Sequence, residues 1–300
     1  VTSIRDIVRE RGGDLYQGGN AAVIPGPGHS RTDRSLSLRE SNGRIIWHSF
    51  AEDKPAEVMR YLGIDPSEGR EATREERDQA RRAREAEKRR KIAADRAFCE
   101  AVWNGTDPLE ASAAEAYLWS RGLIVEDCRD IRFHREAPRG LPREPGDARG
   151  PLPAPHPAMV AVVRKPSGVP AGLHVTYVLA DGTGKAFGNR SRLMFGQIAG
   201  NAVHLTPPGP ELAIGEGIET CAAYRARTGL LTWAALSTSQ LRNFELPSRL
   251  RRLVIAADGD KGGMDAALAL VDRAKRVCAV EIDPAPEGKD WADVWEAQRV

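Results

Sequence analysis

Residues 253–263, LVIAADGDKGG, decide how the C-terminal part of this chain is read. An apolar run of strand type, Leu253 to Ala257, stops at two aspartates one residue apart and then at a glycine pair. Side chains two apart in an extended backbone point the same way. Asp258 and Asp260 would therefore converge, with Gly259 between them allowing a tight bend. Two carboxylates held together repel, and one stays partly protonated unless a cation sits between them. A hard divalent cation does that job. Mg2+ takes one or two protein carboxylates and completes its shell with water and phosphate oxygens. The alternative is a polar turn in which Asp260 caps the next helix. An EF-hand calcium loop also opens with alternating aspartates, but Gly262 and Ala269 stand at its fifth and twelfth positions, so that ligand set fails.

Working outward, strand and helix signals alternate from Glu211 onward. ELAIGEG, LLTWAALS, RRLVIAADGD and VCAVEID read as strands; IETCAAYRARTG, TSQLRNF, GGMDAALALVDRAKR and WADVWEAQ read as helices. Such alternation implies a parallel sheet covered on both faces, an α/β architecture. Ligands of open parallel sheets bind beyond the carboxyl ends of the strands. Glu216 follows LAIG, Asp258 and Asp260 follow LVIAA, and Asp290 and Asp293 lie in GKDWADV after VCAVEID. Glu219 and Asp265 read as solvent-facing helix residues.

LAIGEGIET, then LVIAADGDKGG about forty residues later, then GKDWADVW, resemble the Toprim domain over roughly 208–297. That domain is shared by bacterial replicative primases, type IA and type II topoisomerases and some nucleases. The resemblance implies that Glu216 is a general acid/base or metal ligand. It also implies that Asp258 and Asp260 are the paired metal-binding aspartates and that Asp290 and Asp293 are a less constant acidic pair. It implies Mg2+ or Mn2+ as cofactor, clamping a phosphoryl group during in-line transfer.

Upstream, residues 137–207 read as a strand subdomain. AMVAVVRK and AGLHVTYVL form a hairpin around PSGVP, followed by the basic, glycine-rich DGTGKAFGNRSRLMFG. This segment resembles the primase subdomain that precedes the Toprim part. The resemblance would direct Lys185, Arg190 and Arg192, with Lys261 of the Toprim part, at nucleotide or template phosphates. A solvated basic loop is the alternative. His174 reads as a packed strand residue. Residues 66–136 read as a linker and helices: a long, solvated, mixed-charge helix over 70–96, then helices over 98–136 that include AEAYLWSRGL, with Gly122 as a stop. The stretch 137–157 reads as a loop.

Residues 1–65 read as a small α+β module: a helix over Ile4–Arg11, a strand over Ala21–Ile24, a hairpin turning at Ser41-Asn42-Gly43, and a helix in PAEVMRYLGI. VIPGPGHSRTDRSLSLRESNGRIIWHSFAED resembles the zinc-finger region of phage, plasmid and bacterial primases. His29 remains, but Gly26 or Ile24 stands where a cysteine is expected, and Ser49 and Asp53 fall near the other two positions. One nitrogen and no sulfur make no closed tetrahedral site, so a β-ribbon without zinc is expected. His48 reads as structural. Val23, Leu36, Leu38, Ile45, Ile46, Trp47, Val58 and Leu62 are the candidate core. Arg31, Arg34 and Arg39 are candidate contacts to single-stranded DNA. Trp47 and Phe50 are candidate stacking residues, with core packing as the alternative.

The 300 residues carry a formal net charge of +2, with 41% hydrophobic and 29% charged residues, which fits a globular chain and does not itself argue for nucleic acid. The four cysteines are scattered and read as reduced thiols. No apolar run approaches membrane-spanning length and the start has no apolar signal core, so the expected compartment is the cytoplasm. No GxxxxGK[ST] loop is present, so any helicase partner would be a separate chain. The five tyrosines lie in modules too small for a topoisomerase gate. The reading is thus a primase-like Toprim protein of phage, plasmid or mobile-element type. It would make RNA primers on single-stranded DNA from nucleoside triphosphates. A Toprim nuclease and a non-catalytic replication accessory protein are the alternatives.

Overall fold

The computed structural model describes residues 3–125, 127–143 and 147–298, and the chain divides into two compact units, Val1–Arg89 and Arg90–Val300. In the first, α1 (Ile4–Arg11) starts at Ser3, whose hydroxyl accepts from the Asp6 amide. A five-stranded sheet runs in sequence order: β1 (Asp14–Tyr16), β2 (Ala21–Ile24), β3 (Leu36–Ser41), β4 (Arg44–Ser49) and β5 (Gly69–Glu71). β3 and β4 turn at Asn42 and Gly43, both left-handed at φ 51° and 71°, a backbone these two residue types adopt readily. One sheet face buries Ala22, Ile24, Leu36, Leu38, Ile45 and Trp47 against Ile4 and Ile7 of α1 and Val58 and Leu62 of α2 (Pro55–Leu62). Val23, expected in this core, alternates to the other face and is half-buried. Ile46 is buried outside this cluster. α3 (Arg74–Asn104) continues from the first unit into the second, and its only buried residues, Cys99 and Val102, belong to the second, as its mixed charge predicts.

The second unit is organised by a nine-stranded sheet. Its strands are β6 (Ile131–Ala137), β7 (His156–Arg164), β8 (Pro170–Tyr177), β9 (Arg192–Gly196), β10 (Ala202–His204), β11 (Glu211–Gly215), β12 (Thr232–Ala234), β13 (Arg252–Ala257) and β14 (Ala279–Pro284). The order is β14-β13-β11-β12-β10-β7-β8-β9, with β6 pairing β7. The four strands β14-β13-β11-β12 are mutually parallel. The rest pair antiparallel, and β10 joins the two parts. The parallel half is covered on both faces. Leu212, Ile214, Leu253 and Ile255 pack with α6 (Thr238–Asn243) and α7 (Lys261–Ala274). Ala213, Val254 and Ala256 pack with α5 (Ile218–Thr228) and α8 (Trp291–Ala297). α4 (Ala113–Ser120) adds Tyr117 and Leu118 to the core beside α5.

Five strands, β1, β5, β6, β9 and β10, depart from the sequence reading, and two of them show the cause. Residues 98–136, read as helices, contain most of β6, whose buried Ile131 and Phe133 alternate with half-buried Arg132 and His134. Its strand state is set by pairing with β7, a contact remote in sequence. β10, only three residues long, is equally a product of its neighbours β7 and β12.

Candidate functional site

Glu216 is the first residue after β11 and Asp258 the first after β13. These strands are hydrogen-bonded neighbours with Gly215 opposite Ala256, so both carboxylates leave the sheet at the same end. Asp260 is exposed and caps α7, its Oδ1 accepting from the Gly263 amide at 2.7 Å. The polar-cap reading of this aspartate therefore describes its contacts correctly.

The third acidic segment is folded back onto the second. The Gly259 amide donates to the Lys289 carbonyl at 2.8 Å, and the Gly288 amide to the Gly259 carbonyl at 2.9 Å. A Cβ on Gly259 would stand 2.0 Å from the Pro286 carbonyl oxygen. This glycine is required by close approach of a second backbone, where the sequence suggested a bend. Asp290 caps α8 by accepting from the Asp293 amide at 2.8 Å, and Asp293 accepts from the Asp290 amide at 3.2 Å. The pair is thus a capping box that also adds negative charge to the site.

Asp258 concentrates the electrostatic conflict. Burial, then the charges of Glu216, Asp290, Asp260 and Asp293, push its carboxyl up to about 7. Its Oδ1 is buried and has no hydrogen-bond partner among the described residues. Burial also raises Glu216; the Thr238 hydroxyl opposes that shift, Asp260 adds to it, and Arg192 opposes it. Thr238 Oγ1 donates to Glu216 Oε2 at 2.9 Å.

The cations divide into two kinds. Arg190 and Arg192 are exposed, and neither makes an ion pair or side-chain hydrogen bond among the described residues. The charge of Arg192 acts on Glu216. Lys261 is exposed at the start of α7. Lys185 is engaged: its Nζ lies 2.7 Å from Glu219 Oε1, with side-chain exposures of 25% and 7%. Tyr117 donates its hydroxyl to the same carboxylate at 2.9 Å. Glu219, expected to face solvent, is buried, because α5 turns its first-turn side chains toward α4 and the basic loop. Burial would raise its carboxyl, but Lys185 overrides this and holds it at about 2. Asp265 is exposed, as expected, and His174 is buried. Arg121, which follows α4, reaches Asp293 at 3.6 Å and Glu296 at 3.4 Å. Thr238, Tyr117 and Arg121 escaped the sequence reading, and Glu219 was placed by it on the wrong side of its helix. Only the serine-capped start of α6 hinted at the first, since the others act through contacts remote in sequence.

In the first unit, Arg34 is bound to Asp14 at 2.6 Å, while Arg31 and Arg39 are exposed. Trp47 is buried in the core and Phe50 is 57% exposed. Gly26, His29, Ser49 and Asp53 do come together. His29 Nε2 lies 3.6 Å from Asp53 Oδ1, Ser49 Oγ donates to Asp53 Oδ2 at 2.8 Å, and a Cβ on Gly26 would sit 2.9 Å from Asp53. His29 Nδ1 contacts Ser35 Oγ at 2.9 Å and Asp33 Oδ2 at 3.0 Å. A hydrogen-bonded knot without a thiolate therefore joins the Gly26–Ser35 turn to the end of β4. His48 packs on Phe50 instead, ring centroids 4.8 Å apart.

Among the described residues no three His, Cys, Asp or Glu side chains form a preassembled metal cage. The donors at the strand ends are all hard oxygens, and one buried carboxylate oxygen of Asp258 lacks a partner. These residues fit a cation such as Mg2+ or Mn2+ that takes one or two carboxylates and leaves the rest of its shell to water or phosphate. No helix among the described residues is long and apolar enough to cross a membrane.

Residues 211–299 match the Toprim domain, and this part of the chain is a Toprim domain. Residues 93–205 match a domain of unknown function, DUF7146. No curated protein matches the chain significantly. Among solved structures, a DNA primase domain from Pseudomonas aeruginosa is similar at 18% identity and TM-score 0.45, over 63% of this chain and 68% of that one. The RNA polymerase domain of Mycobacterium tuberculosis primase DnaG is similar at 18% identity and TM-score 0.44, over 70% and 81%. A DnaG primase catalytic domain bound to ssDNA gives 15% identity and TM-score 0.48, over 71% and 79%.

Proposed function

We propose that the chain is a primase-type nucleotidyltransferase, joining nucleoside triphosphates into short RNA primers on single-stranded DNA. The observation that carries this reading is the unpartnered, buried oxygen of Asp258 in the field of Glu216, Asp260, Asp290 and Asp293 at one end of a parallel sheet. Glu216, Asp258 and Asp260 would hold Mg2+ or Mn2+, with Asp290 and Asp293 contributing charge. The ion would supply neutralisation of the charge that develops on phosphoryl oxygens.

The chain's own residues supply the rest. Arg190 and Arg192 would bind phosphates of nucleotide or template, and Lys261 lies at the start of the helix that Asp260 caps. Burial keeps Glu216 more basic than an exposed carboxylate, and with Oε2 held by Thr238 its Oε1 would be the oxygen that meets the ion. Lys185, tied to Glu219, would present its remaining donors to phosphate from a fixed position.

The test incubates the protein with single-stranded DNA, labelled nucleoside triphosphates and Mg2+ or Mn2+. Labelled oligoribonucleotides are expected. Asp258→Asn and Asp260→Asn should each abolish them while the fold persists, and Glu216→Gln should lower turnover by about 10²-fold or more. Shortened DNA without primers would make the protein a nuclease and overturn the proposal. Wild-type synthesis by the Asp258→Asn/Asp260→Asn double variant would overturn the metal assignment.

A further inference from the structure

Glu216 is held from two sides by the turn that links β12 to α6. The turn passes through Leu236, a buried residue whose φ is 80°. Left-handed backbone at a bulky side chain is costly and persists only where surrounding contacts impose it. Here the Ala235 amide donates to the Gly215 carbonyl at 2.8 Å, and the Leu236 amide to the Glu216 carbonyl at 2.6 Å. Ser237 then caps α6, which makes Thr238 its first residue. From that position Thr238 Oγ1 donates to Glu216 Oε2. The Thr238 methyl lies 3.9 Å from where a Cβ on Gly262 would stand, and Asp260 Oδ1 lies 3.3 Å from the same point. Thr238 therefore stands between the loop that carries Glu216 and the loop that carries Asp260. Among the described residues Thr238 is the one hydrogen-bond partner of the Glu216 carboxylate, through its hydroxyl on Oε2 and with its amide directed at the same group.

We propose that Thr238 is a positioning residue for the metal site. Its hydroxyl fixes the Glu216 carboxylate through Oε2 and leaves Oε1 as the atom available to a divalent ion. The strained turn at Leu236 sets where that hydroxyl stands. This inference rests on Glu216 belonging to a metal site, and it does not depend on which phosphoryl-transfer reaction the site performs.

The experiment measures Mn2+ affinity of the full chain by calorimetry or by electron paramagnetic resonance of free Mn2+, together with Tm. It compares wild type, Thr238→Val and Thr238→Ser. Valine keeps the shape and removes the donor; serine keeps the donor and removes the methyl. Thr238→Val is expected to weaken Mn2+ binding by roughly 10-fold, the scale of one lost hydrogen bond to a charged group. Its Tm should stay close to that of wild type, and Thr238→Ser should bind as wild type does. Where primer synthesis is measurable, kcat should fall in Thr238→Val with the nucleotide KM unchanged. Wild-type affinity in Thr238→Val overturns the inference, and so does equal weakening in both variants, which would assign the effect to methyl packing. A folded wild-type chain that binds no Mn2+ overturns the metal site and the inference together. A chain that binds Mn2+ but makes no primer overturns only the proposed activity, and the comparison of affinities still decides the role of Thr238.

Discussion

Glu219 separates what motif spacing tells from what contacts tell. It lies three residues after Glu216 in the same short motif, yet it faces Lys185 and Tyr117 inside the fold. Its carboxyl is held at about 2 from an ordinary 4.5, so the folded chain keeps it ionised where the unfolded chain begins to take up a proton. The stabilisation is complete above about pH 4.5 and is lost as pH falls toward 2. Glu219→Gln should therefore destabilise the protein at neutral pH by roughly 1–3 kcal/mol, because Lys185 loses its partner. The gap from wild type should close as pH falls through that window. Denaturant titrations of both proteins at pH 7, 4 and 3 measure it, and a gap that stays constant would show that the pair does not set the stability. Glu216, Asp258 and Asp260 were legible without the fold, because an acidic residue directly after an apolar strand is a local pattern. Glu219 and Thr238 were not, because their partners lie 34 and 22 residues away.

The elements bring the acidic segments together through backbone contacts. The loop after β14 lies on the Asp258–Asp260 loop so closely that only glycine fits at 259. Gly259→Ala should push that loop away, lowering stability by roughly 1–3 kcal/mol as an overpacked site does. It should lower nucleotidyl transfer by up to about 10²-fold through displaced carboxylates. Unfolding curves and turnover of the purified variant check both, and unchanged turnover would mean that this loop does not set the site. In the first unit the His29 knot plays the corresponding role, joining a turn to a strand end. Because its members are oxygens and one imidazole, a chelator that strips zinc should leave Tm unchanged, whereas His29→Ala should lower the Tm of the transition that reports this unit by roughly 4 °C or more. Elemental analysis showing one tightly bound zinc per chain would contradict this account.

At the scale of the molecule, the Toprim domain does not end its own sheet. β12 pairs on one side with β11 and on the other with β10, which belongs to the preceding segment. His204 stacks on Trp233 with ring centroids 3.5 Å apart, Trp233 Nε1 donates to the Thr206 carbonyl at 2.9 Å, and the Thr232 amide donates to Thr206 Oγ1 at 2.8 Å. Cutting the chain before residue 208 would uncover an apolar strand edge and orphan buried donors. A fragment of residues 208–300 should therefore aggregate or lack cooperative unfolding, while residues 90–300 should unfold in one transition. Calorimetry of the two fragments decides this, and a cooperative transition in the shorter one would show that the Toprim sheet is self-sufficient.

Local sequence accounts for the strand–helix alternation after Glu211, the carboxylates at the strand ends, the first-unit hairpin and the absence of cysteine from residues 1–65. Each is carried by residue types within one or two turns of chain, where apolar period, glycine and charge act locally. Long-range contacts make β6 a strand, let β10 continue the Toprim sheet, pair Lys185 with a buried glutamate and bring Thr238 to Glu216. Those features depend on which remote segment arrives at a given edge or side chain. Short strands and lone polar residues carry no local preference strong enough to announce their partners.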